Sequence, residues 1–164
     1  MKILLRYLAY VLIISAFFRI VPFVAAVIYD EPVSSFVITF TISIMVGVIL
    51  LFYSKMIKTK ETVLGLKDAL ILVALSFVLL SMISSISFLP SLNFNILDAT
   101  FESVSGITTT GMTMYDSVES LPKSLLLWRA EMQWMGGIGI LMVFLFLFAR
   151  LKPHTYLKEY EEKT

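Results

Sequence analysis

There is no cysteine in this 164-residue chain, which removes disulfide frameworks, thiolate metal sites and thiol nucleophiles together. Histidine is almost absent as well. His154 stands alone among charged residues near the end of the sequence, so no histidine cluster for metal or acid–base work can be assembled. Charge is scarce, at 15% of residues against roughly 25% in an average soluble domain, while hydrophobic residues reach 59%. A free-standing cytosolic enzyme is excluded on those proportions, and no catalytic residue is nominated. Thirteen basic and twelve acidic side chains leave a net charge of +1, so nothing is available to displace counterions from a nucleic acid. No nucleic-acid partner is expected.

What the chain has instead is apolar length. Val33 to Tyr53 and Ala69 to Leu89 each run 21 residues without a charged side chain, about what a helix needs to cross 30 Å of hydrocarbon. Two more stretches are long enough to cross: Ile3 to Ile28, interrupted by Arg6, Arg19 and Pro22, and Leu125 to Ala149, which carries Arg129 and Glu131. Lys2 before a leucine-rich run and Val24-Ala25-Ala26 imitate a signal peptide. Arg19 and the bulky Phe17 and Phe18 stand where its apolar core should taper, so the segment reads as a span. Ten of the thirteen basic residues (Lys2, Arg6, Lys55, Lys58, Lys60, Lys67, Arg150, Lys152, Lys158 and Lys163) fall on one side of a four-crossing arrangement. Asp30, Glu31 and Lys123 fall on the other, so the expectation is a multi-pass cell-membrane protein with both termini cytoplasmic.

Between the third and fourth spans, Pro90 to Ser124 is too polar to cross again. Asn95 followed by Asp98 has the form of a helix start, an Asn cap with a carboxylate in the first turn. Ile96, Leu97, Phe101 and Val104 keep an apolar face, and Gly106 is expected to stop the helix after about three turns. Next come Thr108, Thr109 and Thr110, whose β-branches favour extended backbone, and then Gly111, where a positive φ is permitted. A threonine strand ending in glycine can line up carbonyl oxygens, and carbonyl oxygens can replace the hydration shell of a potassium ion. Irregular backbone at membrane depth survives only where protein buries it or it lines water. Composition alone leaves an ordinary external loop as the commoner explanation.

The order of motifs changes that balance. The run AlaThrPheGluSerValSerGlyIleThrThrThrGlyMetThr from Ala99 to Thr113 is followed by Leu121-Pro122, by Leu125-Leu126-Leu127-Trp128-Arg129, and by Gln133-Trp134-Met135-Gly136-Gly137-Ile138-Gly139-Ile140. Together these resemble the Trk/Ktr/HKT superfamily of potassium uptake proteins, its TrkH branch in particular. The resemblance is strong from Ala69 to Ala149. It implies an all-α membrane protein of potassium-channel-like architecture: a helix hairpin over 1–60, one helix, re-entrant pore loop, helix repeat over 61–152, and a cytoplasmic tail over 153–164. It also implies that Gly111 is the filter glycine of one of four repeats around an ion path. The ion-binding residues are then Thr108, Thr109, Thr110, Gly111 and Met112, holding K+ through their backbone, with no transition-metal site and no cofactor. One repeat cannot surround an ion. The ring must be completed by further pore repeats on the same or another chain, or by a homotetramer. The resemblance also implies a cytosolic nucleotide-binding regulator of the TrkA kind. Two alternatives stay open: a non-conducting accessory membrane subunit, and a Na+-permeable cation channel subunit.

Some residues need an explanation of their own. Arg129 and Glu131 lie about 200° apart on a helix and cannot pair with each other. Arg129 is expected to bond Glu102 and support the filter from behind, or else to snorkel. Arg19 suggests a partner inside the bundle, though snorkelling would also serve, and no role follows for it. Asp98, Glu102, Asp116 and Glu119 would concentrate cations at an outer entrance if exposed there. Gly136, Gly137 and Gly139 read as close helix packing and not as a phosphate loop, since no strand precedes them. Met112, Met114, Met132 and Met135 read as apolar packing and not as soft copper ligands.

Overall fold

Pro22 has no N–H to offer the Phe18 carbonyl four residues back, and its ring crowds that carbonyl. The first expected span therefore breaks one turn earlier. In the computed structural model, which describes residues 2–57, 65–91 and 95–150, it forms α1 (Lys2–Phe18) and α2 (Ile20–Ile28), joined at Arg19. Asp30, at φ 53°, turns the chain into α3 (Ser34–Met56). Then follow α4 (Leu66–Phe88), a short 3-10 turn at Leu89–Ser91, α5 (Ile96–Ile107), a second such turn at Val118–Ser120, and α6 (Lys123–Arg150). All regular structure among the described residues is helical. Lys58, Lys60 and the tail over 153–164 with His154 lie outside the described residues.

Among the described residues, three helical stretches are long and apolar enough to cross a membrane: Lys2–Ile28, Ser34–Met56 and Leu66–Phe88. The fourth expected crossing corresponds to α6, a 28-residue helix that is not one of those three. Their packing is that of helices in lipid, where small residues bring backbones together and large apolar groups face outward. In α3 the buried positions are Ser35, Phe36, Thr39, Ser43, Gly47 and Ser54, while Val37, Ile38, Met45, Val48, Ile49 and Phe52 are exposed. Gly47 lies so close to α1 that a Cβ there would come within 2.7 Å of Ile13 Cγ1 and 3.3 Å of the Ala9 carbonyl oxygen. The buried face of α4 carries Ser76, Ser81, Ser84, Ser85 and Ser87. Their hydroxyls meet their own helix, as Ser76 does by donating to the Leu72 carbonyl at 2.7 Å, or a neighbouring one, as Ser87 does at Thr39 Oγ1, 3.2 Å away. Thus α1 lies along α3, α4 lies along α5, and α6 touches α2, α4 and α5.

The short α5 begins as its sequence indicates. Asn95 accepts a hydrogen bond from the Leu97 N–H at 3.3 Å, satisfying one of the amides left open at a helix start. Asn95→Ala should lower stability by about 1 kcal/mol, read as a downward shift of the thermal unfolding midpoint in detergent. At some 18 Å, from 1.5 Å per residue, α5 is far too short to span the bilayer. Its large side chains Ile96, Leu97, Phe101 and Val104 are exposed, and the side toward α4 and α6 is made of Ala99, Glu102, Ser103, Ser105, Gly106 and Ile107. The apolar face of α5 is thus turned away from the chain's own interior.

Candidate functional site

The end of α5 corrects two expectations. The helix does not stop at Gly106, which keeps a negative φ, but runs to Ile107. Glycine is needed there for space: a Cβ on Gly106 would come within 2.5 Å of Met132 Cε on α6. The left-handed position that ends the helix falls on Thr109, at φ 59°, where the Thr109 N–H bonds the Gly106 carbonyl at 3.1 Å and the Thr110 N–H bonds that of Ser105 at 3.0 Å. The three threonines are therefore not one extended strand. Closure of the helix end overrides the β-branched preference, and a threonine at positive φ is strained, at roughly 1–3 kcal/mol. Gly111 does take the positive φ expected of it, 77°.

This closure gives residues 109–111 an uneven distribution of hydrogen bonds. Their N–H groups are drawn back onto α5, with Gly111 reaching the Ser105 carbonyl at 3.5 Å. Among the described residues no hydrogen bond ends on the carbonyls of Thr108, Thr109, Thr110 or Gly111. Threonine hydroxyls complete the turn: Thr108 Oγ1 donates to the Val104 carbonyl at 2.7 Å and lies 2.8 Å from Thr110 Oγ1. The Met112 carbonyl differs, because it accepts from Ser105 Oγ at 2.6 Å. Met112 thus has one lone pair already committed to the helix, a contact between residues seven apart that no local pattern marks.

Past Met112 the chain is held by one carboxylate. Glu102, only 1% exposed, accepts from Thr113 Oγ1 and from the Met114 N–H, each at 2.6 Å, through Oε1. Its Oε2 receives the Arg129 guanidinium in a buried ion pair, and the same Arg129 nitrogen lies 3.1 Å from Thr113 Oγ1. The structure therefore joins Glu102 and Arg129, as their shared need for a partner in an apolar chain suggested, and Arg129 does not snorkel. Glu102 is correspondingly withdrawn from the group that could draw cations at an entrance. Asp116 and Glu119 are exposed and Asp98 is half-buried. Glu131 Oε2 is buried without a partner among the described residues.

Behind this loop, α6 approaches closely. A Cβ on Gly136 would sit 1.8 Å from the Ile107 carbonyl oxygen, so the two backbones are in direct contact. Gly137 faces the Thr109 methyl at 3.9 Å and Gly139 faces the Phe77 ring at 3.5 Å, both ordinary contact distances. The expectation of close helix packing is met most tightly at Gly136. Met132 is buried against Gly106 while Met112 and Met114 are exposed.

Two further anchors reach α6, and of these Arg19 alone carries a sequence expectation of a partner inside the bundle. Arg19 is 1% exposed: it donates to the Ser15 carbonyl at 2.9 Å and to Ser84 Oγ on α4 at 3.1 Å, and its guanidinium lies 4.6 Å from the centre of the Trp128 ring. Glu31, in the turn between α2 and α3, accepts from the Lys123 N–H at 2.7 Å and the Ser124 N–H at 2.9 Å, capping α6 from 92 residues away. Partial burial alone would raise its pKa. The hydrogen bonds from Ser124 and Lys123 and the charge of Lys123 outweigh that and hold the carboxyl below the ordinary carboxylate value. The stabilisation is therefore complete above the ordinary value and lost as pH falls through the lowered one. Glu31→Gln should remove that acid-side component from a plot of unfolding midpoint against pH between 7 and 3.

Known proteins resemble this chain in sequence and in overall fold. A family model described as TrkH, cation transport protein, matches residues 32–162. An uncharacterised cation transporter of Methanocaldococcus jannaschii is 35% identical over 157 residues, covering 94% of this chain and 32% of that protein. The Trk system potassium uptake protein TrkG of Escherichia coli is 35% identical over 127 residues, covering 74% of this chain and 25% of its own length. The crystal structure of the potassium transporter TrkH from Vibrio parahaemolyticus superposes with a TM-score of 0.75 at 28% identity, over 89% of this chain and 31% of that one. The chain thus spans about a third or less of the length of these relatives. With a helical membrane architecture, a braced loop after a short helix, and a family match over most of its residues, the chain belongs to the TrkH family of cation transport proteins.

Proposed function

We propose that this chain supplies one pore repeat, with a preceding helix hairpin, to a potassium uptake assembly, and that the backbone carbonyls of Thr108, Thr109, Thr110 and Gly111 coordinate the dehydrated ion. The observation that carries this reading is the uneven bonding of residues 109–111, whose N–H groups are consumed by α5 while their carbonyls accept nothing among the described residues. Four neutral oxygens at the carbonyl end of a short helix are a suitable replacement for part of the hydration shell of K+. Met112 contributes as a clamp through Ser105, and Glu102 with Arg129 supports the loop from behind. Relatives named as potassium uptake proteins and a solved potassium transporter favour K+ as the cargo.

One such loop supplies about a quarter of a ring, and the exposed apolar face of α5 is the surface that further repeats would cover. Those repeats belong to the same or another chain, or to further copies of this one. In this reading the protein is a cell-membrane protein with four crossings, α6 included, and cytoplasmic termini. A TrkA-like nucleotide-binding regulator acts from the cytosolic side.

The test is cation flux into liposomes carrying the complete assembly. The native protein should pass K+ well above Na+. Gly111→Ala, which forces an alanine to φ 77° at a penalty of about 1–2 kcal/mol, should lower K+ flux and erode the K+/Na+ preference. Absence of any cation flux would assign the chain to a non-conducting accessory role, and equal or greater Na+ flux in the native protein would overturn K+ selectivity.

A further inference from the structure

Among the described residues, Glu31 and Arg19 of the helix hairpin both reach α6. Glu31 accepts from the N–H groups of Lys123 and Ser124 at the first turn of α6. Arg19 lies over Trp128, about a turn and a half further along, and is itself fixed by Ser15 on α1 and Ser84 on α4. A helix held at its N-terminus and again four to five residues later is fixed in both axial position and rotation. The next residue after Trp128 is Arg129, which holds Glu102 and through it Thr113 and Met114. Both Arg19 and Trp128 are fully buried, and Arg19 has no carboxylate partner among the described residues. A guanidinium taken out of water and matched only by serine oxygens and an indole face is expensive to retain. Stability alone does not account for it, since a long apolar side chain such as methionine would fill much of the same space without that penalty.

We infer that the hairpin is a positioning element for the loop after α5: Arg19 and Glu31 set the rotation and depth of α6, and α6 in turn holds Arg129 against Glu102. For its consequence in transport this rests on the ion-binding role proposed above, but the mechanical claim does not. It is read on this chain whether or not cations pass.

The experiment is amide hydrogen exchange on the full chain in lipid nanodiscs, comparing the native sequence with Arg19→Met and Glu31→Gln, all in a Trp134→Phe background that leaves Trp128 as the single indole. The N–H groups of Thr109, Thr110 and Gly111, protected by the Ser105 and Gly106 carbonyls, should exchange about tenfold faster in each variant. Amides of Ser43 to Val48 should be unchanged. Arg19→Met should also alter Trp128 emission, and Arg19→Lys, which returns a cation to the indole face, should restore part of the protection. Should Arg19→Met not fold, Glu31→Gln decides alone. Trp128 emission changed with exchange at residues 109–111 unaltered, or exchange rising equally in all helices, would overturn the inference. If the amides respond as expected while liposomes carrying the complete assembly show no cation flux, the ion-binding reading fails and the mechanical one stands.

Discussion

Arg129→Leu should destabilise the folded chain by about 3–5 kcal/mol, the cost typical of removing one partner from a buried ion pair. Its magnitude follows from the position of Glu102, whose side chain has no exposed surface and would keep a charge with nothing opposite it. The effect should not stop at stability. Glu102 also holds Thr113 Oγ1 and the Met114 N–H, so a carboxylate that relaxes away from its vacated partner releases the outgoing end of the loop. Folded yield and detergent unfolding midpoint should fall together, and in the transporting assembly the K+/Na+ flux ratio should fall with them. Arg129→Leu combined with Glu102→Gln should recover part of the stability, because no buried charge is orphaned and the amide oxygen still accepts from Met114. Recovery of the flux ratio should be poorer, since Thr113 lacks the guanidinium in either case.

Gly136→Ala is the other substitution with a large expected effect. The added methyl would lie 1.8 Å from the Ile107 carbonyl oxygen and 2.8 Å from its carbon, and neither is a side-chain atom that can rotate aside. α6 must retreat from α5 along the contact that seats the loop, at about 3 kcal/mol, the upper part of the range for overpacking. Gly139→Ala supplies the contrast. Its Cβ would meet the Phe77 ring at 3.5 Å, an ordinary contact, and alanine is the better helix former, so stability should hold or rise by about 0.5–1 kcal/mol. If the two substitutions behaved alike, backbone contact at Gly136 would not be what fixes α6.

These residues also mark what was legible in advance. The Asn95 cap could be read because a cap and its amide lie two residues apart, within reach of a local pattern. The Glu102–Arg129 pair could be nominated because both charges sit in apolar surroundings and each requires a partner. Gly106 reads locally as a helix stop, yet the helix continues to Ile107. A glycine admits both explanations, and only the location of Met132 on another helix selects close packing. The conformation of Thr109 ran against its propensity, since three β-branched residues favour extension and the six-residue closure of α5 outweighs them. Nothing local marks Glu31 as a cap for α6, because the two are 92 residues apart and meet only once the hairpin has packed. Arg19, a charge within an apolar span, points to a partner inside the bundle, but its burial depends on Ser84 and Trp128, supplied by two different helices.

The central claim is that main-chain oxygens at Thr108 to Gly111 receive the ion. Solid-state NMR of the complete assembly in bilayers, with 13C-labelled carbonyls and K+ exchanged for N-methylglucamine, tests it most directly. The account predicts that the carbonyl resonances of Thr108, Thr109, Thr110 and Gly111 move on adding K+ while that of Ile107 at the α6 contact does not. Carbonyl resonances at these four residues that are indifferent to K+, in an assembly that nonetheless conducts it, would contradict the account.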